Sequence, residues 1–307
     1  MNKLRRKVTK HGSATLSVSL PSKWAKKYGI KKGDEIDVVE DKNSIRIVAG
    51  KSEKPSSAEI YVKKPNRLIS RSIFNLYRKG ISQITVKYDD PIIIKDIYRY
   101  LPILMGFEIT HEGKDFTVLK NVLKVDETNF DNTLRRLYLI TKSLADETYK
   151  AIKDKKYEEL KGISELESAQ NRLYMFCCRV INLKGDSLFD HPSLMYLMIQ
   201  RLEDIADHYK YICNYLLELN DKRMNISKGT ISFLGEVNDM LNSLYDLYYS
   251  FSIDTTKKII EGKKQLIKKG LGLLEKVPKK EIRLVSMLNS IVVSIYETSS
   301  PICGIHL

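Results

Sequence analysis

Two pairs of oxygen-bearing side chains recur at one spacing in the C-terminal part of the chain. Glu203 and Asp207 are four residues apart, and Glu167 and Asn171 have the same offset. Residues four apart on a helix are neighbours on one face, where like charges repel unless a cation lies between them. Two such faces that meet in a helical bundle would form an all-oxygen site for a divalent or iron-type metal ion.

The same carboxylates have an alternative interpretation without a metal. Lys210 follows Asp207 by three residues and would neutralise it, leaving Glu203 in solvent. Acidic pairs on solvated helix faces are common, and exposed ion pairs contribute little. The spacing alone therefore leaves both interpretations open.

Basic residues are concentrated in the first part of the chain. The net charge is +14, and residues 1–50 hold 12 Lys or Arg against 5 Asp or Glu, while residues 51–125 hold 14 against 8. No acidic residue precedes Asp34. Such a block attracts polyanions, because contacts with phosphates release condensed counterions. The alternative is a solvated basic face that has no partner.

Residues 4–50 predict short strands around one short helix. Period-two alternation predicts strands at 15–20, 35–39 and 44–48, and a helix begins at Pro21-Ser22 and ends at Gly29. About fifty residues bury little apolar surface alone, so we expect a dimer that pools two half-cores. The residues expected in that shared core are Leu16, Val18, Leu20, Trp24 and Ile36.

The run from Arg6 to Ile36, with Lys10-His-Gly-Ser13 and Pro21-Ser-Lys-Trp24, resembles the SpoVT/AbrB looped-hinge DNA-binding family. The resemblance implies an AbrB-like swapped-hairpin β-barrel that is built from two chains and binds double-stranded DNA. The DNA contacts that it implies are Arg5, Arg6, Lys7, Lys10, Lys23, Lys26 and Lys27. The alternative is a barrel that only dimerises, as in antitoxin-like relatives.

A polar linker over 50–57 precedes a predicted small α/β connector, residues 58–125, which carries no catalytic motif. The run Leu101–Ile109 resembles a connector of archaeal PhoU-like regulators. The predicted elements are a strand at 60–62, a helix opened by Pro65 and Asn66 and stopped by Gly80, a strand at 84–88, a helix at 93–105 and a hairpin of 107–109 with 116–118.

Residues 126–307 predict an all-α region of two tandem three-helix units, 126–220 and 228–307. Few helix breakers interrupt its periodicity. The predicted helices are 131–152, 155–183, 193–219, 229–251, 254–276 and 280–298.

The run Arg201-Leu-Glu-Asp-Ile-Ala-Asp-His208 resembles the metal-binding motif of the PhoU family, whose tandem three-helix bundles act with phosphate transport and its signalling. The second unit keeps Glu297 but has Pro301 in place of a second carboxylate, so we expect no second metal cluster. The metal ligands that the resemblance implies are Glu167, Glu203 and Asp207, with Asn171 where aspartate is more usual.

Length and composition agree with a multidomain globular protein. A chain of 307 residues predicts two or three domains, and its four cysteines, without a CxxC pair, predict reduced, buried thiols. The sequence has no signal-peptide pattern and no run of about 18 apolar residues. We therefore expect a soluble, cytoplasmic protein without membrane insertion.

These features together predict an archaeal-type, homodimeric transcription regulator of phosphate uptake. Its helical domain would bind a metal, a ligand or a phosphate-transport or signalling protein. The alternative is an adaptor that does not bind DNA, dimerises through its N-terminal domain and regulates a phosphate transporter or sensor kinase by protein contact. No nucleophile, base and oxyanion arrangement or phosphate-binding Gly-rich loop is evident, so we do not expect an enzyme.

Overall fold

The computed structural model describes residues 5–12, 14–41, 44–48, 56–65, 68–123, 129–219 and 225–307. The chain divides into two compact units, Met1–Pro55 and Ser56–Leu307. Most of the predicted linker at 50–57 lies outside the described residues, as do Asn66 and the predicted boundaries near residues 125 and 220.

The N-terminal unit consists of two antiparallel hairpins and a short helix. Its elements are β1 (Val8–His11), β2 (Thr15–Val18), α1 (Ser22–Lys27), β3 (Asp37–Asp41) and β4 (Ser44–Val48). Gly29 follows the helix with a φ of 67°, a left-handed conformation that glycine adopts without steric cost. The helix and the strand at 44–48 are confirmed, whereas the strand predicted at 35–39 lies two residues later.

A mixed four-stranded sheet and two helices form the α/β layer at the start of the second unit. Its elements are β5 (Ser57–Val62), α2 (Leu68–Arg78), β6 (Gln83–Tyr88), α3 (Ile93–Tyr100), β7 (Phe107–Glu112) and β8 (Phe116–Asn121). The strand order is β5-β6-β8-β7, with β5 and β6 parallel and the other pairs antiparallel. Ile84, Val86 and Tyr88 are buried while Thr85 and Lys87 are not, which indicates a sheet with one covered face. The predicted order of strands and helices is confirmed.

Six long helices follow the α/β layer in the described part of the chain, and none is long and apolar enough to cross a membrane. They are α4 (Phe130–Lys153), α5 (Leu160–Lys184), α6 (Pro192–Leu219), α7 (Lys228–Tyr249), α8 (Ile253–Leu274) and α9 (Lys279–His306). Helices α4, α5 and α6 pack against one another, as do α7, α8 and α9. Helix α6 also packs along α9, and α4 packs against α7. Asn238 of α7 joins the two sets, because it accepts a hydrogen bond from the Tyr209 hydroxyl at 2.7 Å and donates to the Ala145 carbonyl at 2.8 Å.

Helix α9 is longer than predicted. The predicted end at residue 298 is wrong, since the helix continues to His306 with Pro301 inside it. Proline in a helix interior removes one hydrogen bond and costs about 3 kcal/mol. Here both Pro301 and Ile302 are buried. Burial of this last part of the helix offsets the cost of the proline.

The α/β layer packs against α5 through the buried side chain of Arg179. Its Nη1 donates to the carbonyl oxygens of Tyr77 at 2.7 Å and Ile81 at 2.9 Å, at the end of α2. The side chain is 1% exposed and lies over the rings of Tyr77 and Phe107. Carbonyls at a helix C terminus carry partial negative charge, so they stabilise a buried cation there. The predicted connector is therefore part of the same compact unit as the helices.

All four cysteines are free thiols. Cys177, Cys178 and Cys213 are buried, whereas Cys303 is partly exposed. Burial raises the pKa of Cys178 to about 12 and that of Cys213 to about 11, so both thiols stay protonated at neutral pH. The expectation of buried, reduced thiols is confirmed for three of the four.

Candidate nucleic-acid interface and carboxylate cluster

The residues predicted to contact DNA are all exposed on the N-terminal unit. Within the described residues, none of them forms an ion pair with a carboxylate. Asp34, the first acidic residue, accepts a hydrogen bond from the backbone N–H of Lys31 at 2.7 Å. The positive charge of this region is therefore available to an external anion. The residues are Arg5, Arg6 and Lys7 before β1, Lys10 in β1, and Lys23, Lys26 and Lys27 on α1.

The register of the first hairpin separates an apolar face from a polar one. Val8 pairs with Val18, and Lys10 pairs with Leu16, so these four residues share one face. The other face carries Thr9, His11, Thr15 and Ser17. Lys10 therefore lies among apolar residues, a placement that the basic pattern of the sequence did not indicate.

Within one chain, the N-terminal unit has no buried residue among those whose side chains are described. Leu16 is 70% exposed, Val18 52% and Ile45 68%. Burying one such side chain contributes about 1.5–3 kcal/mol, and an isolated two-stranded hairpin is at best marginally stable. The other residues predicted for the shared core, Leu20, Trp24 and Ile36, are partly exposed.

Helices α5 and α6 bring the predicted metal ligands to one region around Lys210. The Lys210 Nζ lies 2.9 Å from Glu167 Oε2 and 3.8 Å from Asp207 Oδ1. Asn171 Nδ2 donates to Glu167 Oε1 at 3.1 Å, and the Tyr211 hydroxyl donates to Asp207 Oδ2 at 3.1 Å. The nearly buried Glu167 is thus neutralised by a lysine from the neighbouring helix.

Glu203 is the carboxylate whose protonation is most affected. Its pKa is raised to about 7, mainly by burial and also by the negative charges of Asp207, Asp204 and Glu167, while Arg78 lowers it. Its Oε2 accepts a hydrogen bond from Gln200 Nε2 at 3.1 Å. Near neutral pH, Glu203 therefore exists in both charged and neutral forms.

A lysine ammonium lies among the predicted metal ligands. Among the residues that the structure describes, no group of three His, Cys, Asp or Glu is placed to hold a metal. The ammonium of Lys210 neutralises two of the carboxylates that a metal would bind. The alternative interpretation is right about Lys210 and Asp207, but Lys210 lies closer to Glu167, and Glu203 is partly buried. The assignment of Glu167, Asn171, Glu203 and Asp207 as metal ligands stays a prediction.

A chain of hydrogen bonds connects this cluster to the α/β layer. Arg78, at the end of α2, donates through Nη1 to the Tyr174 hydroxyl. That hydroxyl donates to Gln200 Oε1 at 2.7 Å, and Gln200 Nε2 donates to Glu203. Sequence reasoning did not single out these intermediate residues, because they are distant in sequence and belong to no motif.

The corresponding region of the second helix set contains an ion pair. Glu297 of α9 lies 2.9 Å from Arg201 Nη2 of α6, and Arg201 also lies 3.5 Å from Asp204. Pro301 is buried one turn after Glu297. Glu297, the glutamate of the predicted motif that the second unit keeps, therefore links α9 to α6 through Arg201.

Comparison with known families gives a match in the N-terminal unit. Residues 9–55 match the family described as "Antidote-toxin recognition MazE, bacterial antitoxin". No curated protein matches the chain, and neither does any solved structure. The chain therefore carries an N-terminal MazE/AbrB-like domain, and domains of this kind commonly bind DNA and dimerise. A mostly helical region follows that domain.

Proposed function

We propose that this protein is a homodimeric transcription regulator whose N-terminal unit binds double-stranded DNA. The observation that carries the proposal is the set of exposed basic residues that form no ion pair with any described carboxylate, in a unit similar to MazE/AbrB domains. Lysine and arginine side chains that neutralise phosphates supply most of the sequence-independent affinity for DNA.

Dimerisation through the N-terminal unit follows from its exposed apolar residues. Val8, Leu16 and Val18 share one face of the first hairpin, and each is more than half exposed in the single chain. In the proposed dimer, two copies form a swapped-hairpin barrel and bury these residues in a common core. Such a barrel presents two sets of basic residues to one duplex.

The helical region is proposed to be PhoU-like, with its two helix sets as tandem three-helix bundles. The support is the mutual packing within each set, together with the resemblance of residues 201–208 to the PhoU motif. The proposed link to phosphate uptake rests on that resemblance. In this proposal the helical region binds a ligand or a signalling partner and thereby changes DNA binding.

The test is a salt titration of DNA binding by the full chain. The duplexes are fragments from upstream of phosphate-transport genes and a scrambled duplex of equal length. We expect tight binding that is selective for the upstream fragments. In Arg5→Gln with Arg6→Gln, we expect the slope of log affinity against log salt to fall by about 0.9 for each lost phosphate contact.

The matched control is Lys264→Gln with Lys268→Gln, which removes the same charge from exposed positions on α8. The control should keep the wild-type slope. An equal slope in both double variants would remove Arg5 and Arg6 from the interface. Weak binding that is equal on both duplexes would contradict the regulator.

The description of the matched family favours a second candidate function, because it names recognition of a toxin. In that case the N-terminal unit dimerises and the protein acts as an adaptor on a protein partner, such as a phosphate transporter or sensor kinase. Absence of selective DNA binding by a wild-type dimer would support this candidate.

A further inference from the structure

A polar pocket lies where the α/β layer meets the helices. Its volume is about 340 Å³. Helix α2 and the residue after it line one side, and α5 and α6 line the other. Its lining residues are Asn75, Arg78, Lys79, Asn182 and Tyr196, none of which is acidic.

Arg78 brings a partly buried guanidinium to this pocket. Nη1 donates to the Tyr174 hydroxyl, and Nη2 donates to Asn75 Oδ1 at 2.5 Å. Both acceptors are neutral, and among the described residues Arg78 forms no ion pair. A guanidinium has five N–H donors, so Arg78 keeps donors for a further acceptor. Arg78 interacts electrostatically with Glu203 but forms no ion pair with it. An anion in the pocket would supply a direct counterion to this partly buried charge.

The other lining residues add charge and hydrogen-bonding groups. Lys79 is exposed at the pocket and has no ion pair within the described part of the chain. Asn182 Nδ2 donates to the Arg78 carbonyl at 2.8 Å and so fixes the end of α2 against α5. Tyr196 contributes a phenol. An arginine and a lysine side by side, with amide and hydroxyl groups around them, form a typical recognition set for a phosphate group.

We propose that this pocket binds a small, doubly charged oxyanion of the phosphate type, either free or as a phosphate monoester. Arg78 holds two of its oxygens, and Lys79 neutralises the remaining charge. The proposal is argued from the pocket alone and does not depend on the proposed function. It is tested without DNA, so its failure is distinguishable from failure of DNA binding.

An anion bound in the pocket would contact both the α/β layer and the helices α5 and α6. Arg78 belongs to the α/β layer and donates to Tyr174, which in turn donates to Gln200. An anion that attracts the guanidinium competes with Tyr174 for it. Binding would therefore change the contacts between α2 and the helices α5 and α6.

The experiment is isothermal titration calorimetry of the full chain at constant ionic strength, which measures the dissociation constant of each of three probes. The probes are inorganic phosphate, glycerol 3-phosphate and acetate. We expect phosphate or its ester to bind and acetate to bind at least about tenfold more weakly, because it carries one charge. Comparable affinity of the two phosphate probes indicates a free anion. Tighter binding of glycerol 3-phosphate indicates a monoester, which also agrees with the proposal.

Variants assign the binding to the pocket. Arg78→Gln and Lys79→Gln should each raise the dissociation constant about tenfold or more, and Arg78→Lys should not restore it, because lysine lacks the planar fork. Lys95→Gln, an exposed lysine on α3 away from the pocket, should bind as wild type does. Lys79→Gln keeps the test valid if Arg78→Gln fails to fold. No phosphate binding, or equal binding by Lys79→Gln and Lys95→Gln, would overturn the proposal.

Discussion

The N-terminal unit and the α/β layer both consist of short strands and small helices, but they differ in how far their apolar residues are buried. The α/β layer buries residues such as Ile73, Ile84 and Leu119 completely, whereas the N-terminal unit buries none whose side chain is described. A short β segment is stable only when another surface covers it. The second unit supplies that surface within one chain, and in the proposed dimer a second copy supplies it for the N-terminal unit.

The same contrast holds for charge. In the second unit, Arg179 and Glu167 are nearly buried and have partners on neighbouring elements. In the N-terminal unit, the described basic side chains are exposed and form no ion pairs with described carboxylates. Charges of the first kind affect stability, and charges of the second kind are available for binding.

The largest effect on stability is expected at Arg179. Arg179→Ala removes the side-chain donor to the Ile81 carbonyl and one of the two donors to the Tyr77 carbonyl, which keeps the Gly80 N–H at 3.0 Å. It also creates a cavity beside Tyr77 and Phe107. We expect the free energy of unfolding to fall by about 3–5 kcal/mol in urea titrations. The matched control, Arg136→Ala on the exposed face of α4, should change it by less than about 0.5 kcal/mol. Equal losses in both variants would refute this role of Arg179.

Lys210 should have the next largest effect. Lys210→Met leaves the nearly buried Glu167 without its cation, and we expect a loss of about 3 kcal/mol in the free energy of unfolding. Adding Glu167→Gln to this variant removes the unpaired charge and should recover a large part of that loss. A double-mutant cycle measures the coupling. Strictly additive effects would contradict direct pairing of the two residues.

The raised pKa of Glu203 predicts that the free energy of unfolding depends on pH, with a smaller effect than that expected at Lys210. Its pKa is raised from 4.5 to about 7 in the folded protein, so the folded state binds more protons than the unfolded state between those values. Stability therefore falls as pH rises from about 4.5 to 7, by roughly 2 kcal/mol after allowance for solvent screening. Glu203→Gln cannot ionise, so its unfolding free energy should lack this decrease. Parallel curves for both proteins between pH 5 and 8 would contradict the assignment.

The smallest effect on the second unit is expected from the N-terminal apolar face. Leu16→Glu should raise the dimer dissociation constant about a hundredfold in sedimentation experiments, since each copy loses a buried leucine. Unfolding of the second unit should change by less than about 0.5 kcal/mol. Leu271→Glu, an exposed leucine on α8, is the matched control and should leave the dimer intact. Dissociation of the control to the same extent would argue against an N-terminal dimer interface.

Most elements could be predicted because their patterns are local. Alternation in 44–48 and 84–88 and the helical periodicity of 193–219 appear in the structure within one or two residues. The end of α9 was missed because a proline ordinarily stops a helix, and only the packing around Pro301 overrides that rule. The local sequence pattern does not show which residues pack around Pro301.

The candidate sites also differ in how far the sequence alone predicts them. The basic N-terminal block is visible in composition, because charge is a property of the chain. The sequence paired Lys210 with Asp207, but its shorter contact with Glu167 was not predicted, since Glu167 is 43 residues away and is brought near by the packing of α5 on α6. The same holds for the pocket at Arg78, whose walls come from three helices.

The sequence by itself determined the basic character of the N-terminal segment and the helical nature of most of the remainder, because charge and periodicity are properties of consecutive residues. Only the tertiary structure decided that Arg179 joins the α/β layer to α5, that Lys210 neutralises Glu167 and that Arg78 faces a pocket without a carboxylate. These outcomes depend on which residues distant in the chain become neighbours, and burial then sets the strength of their charges.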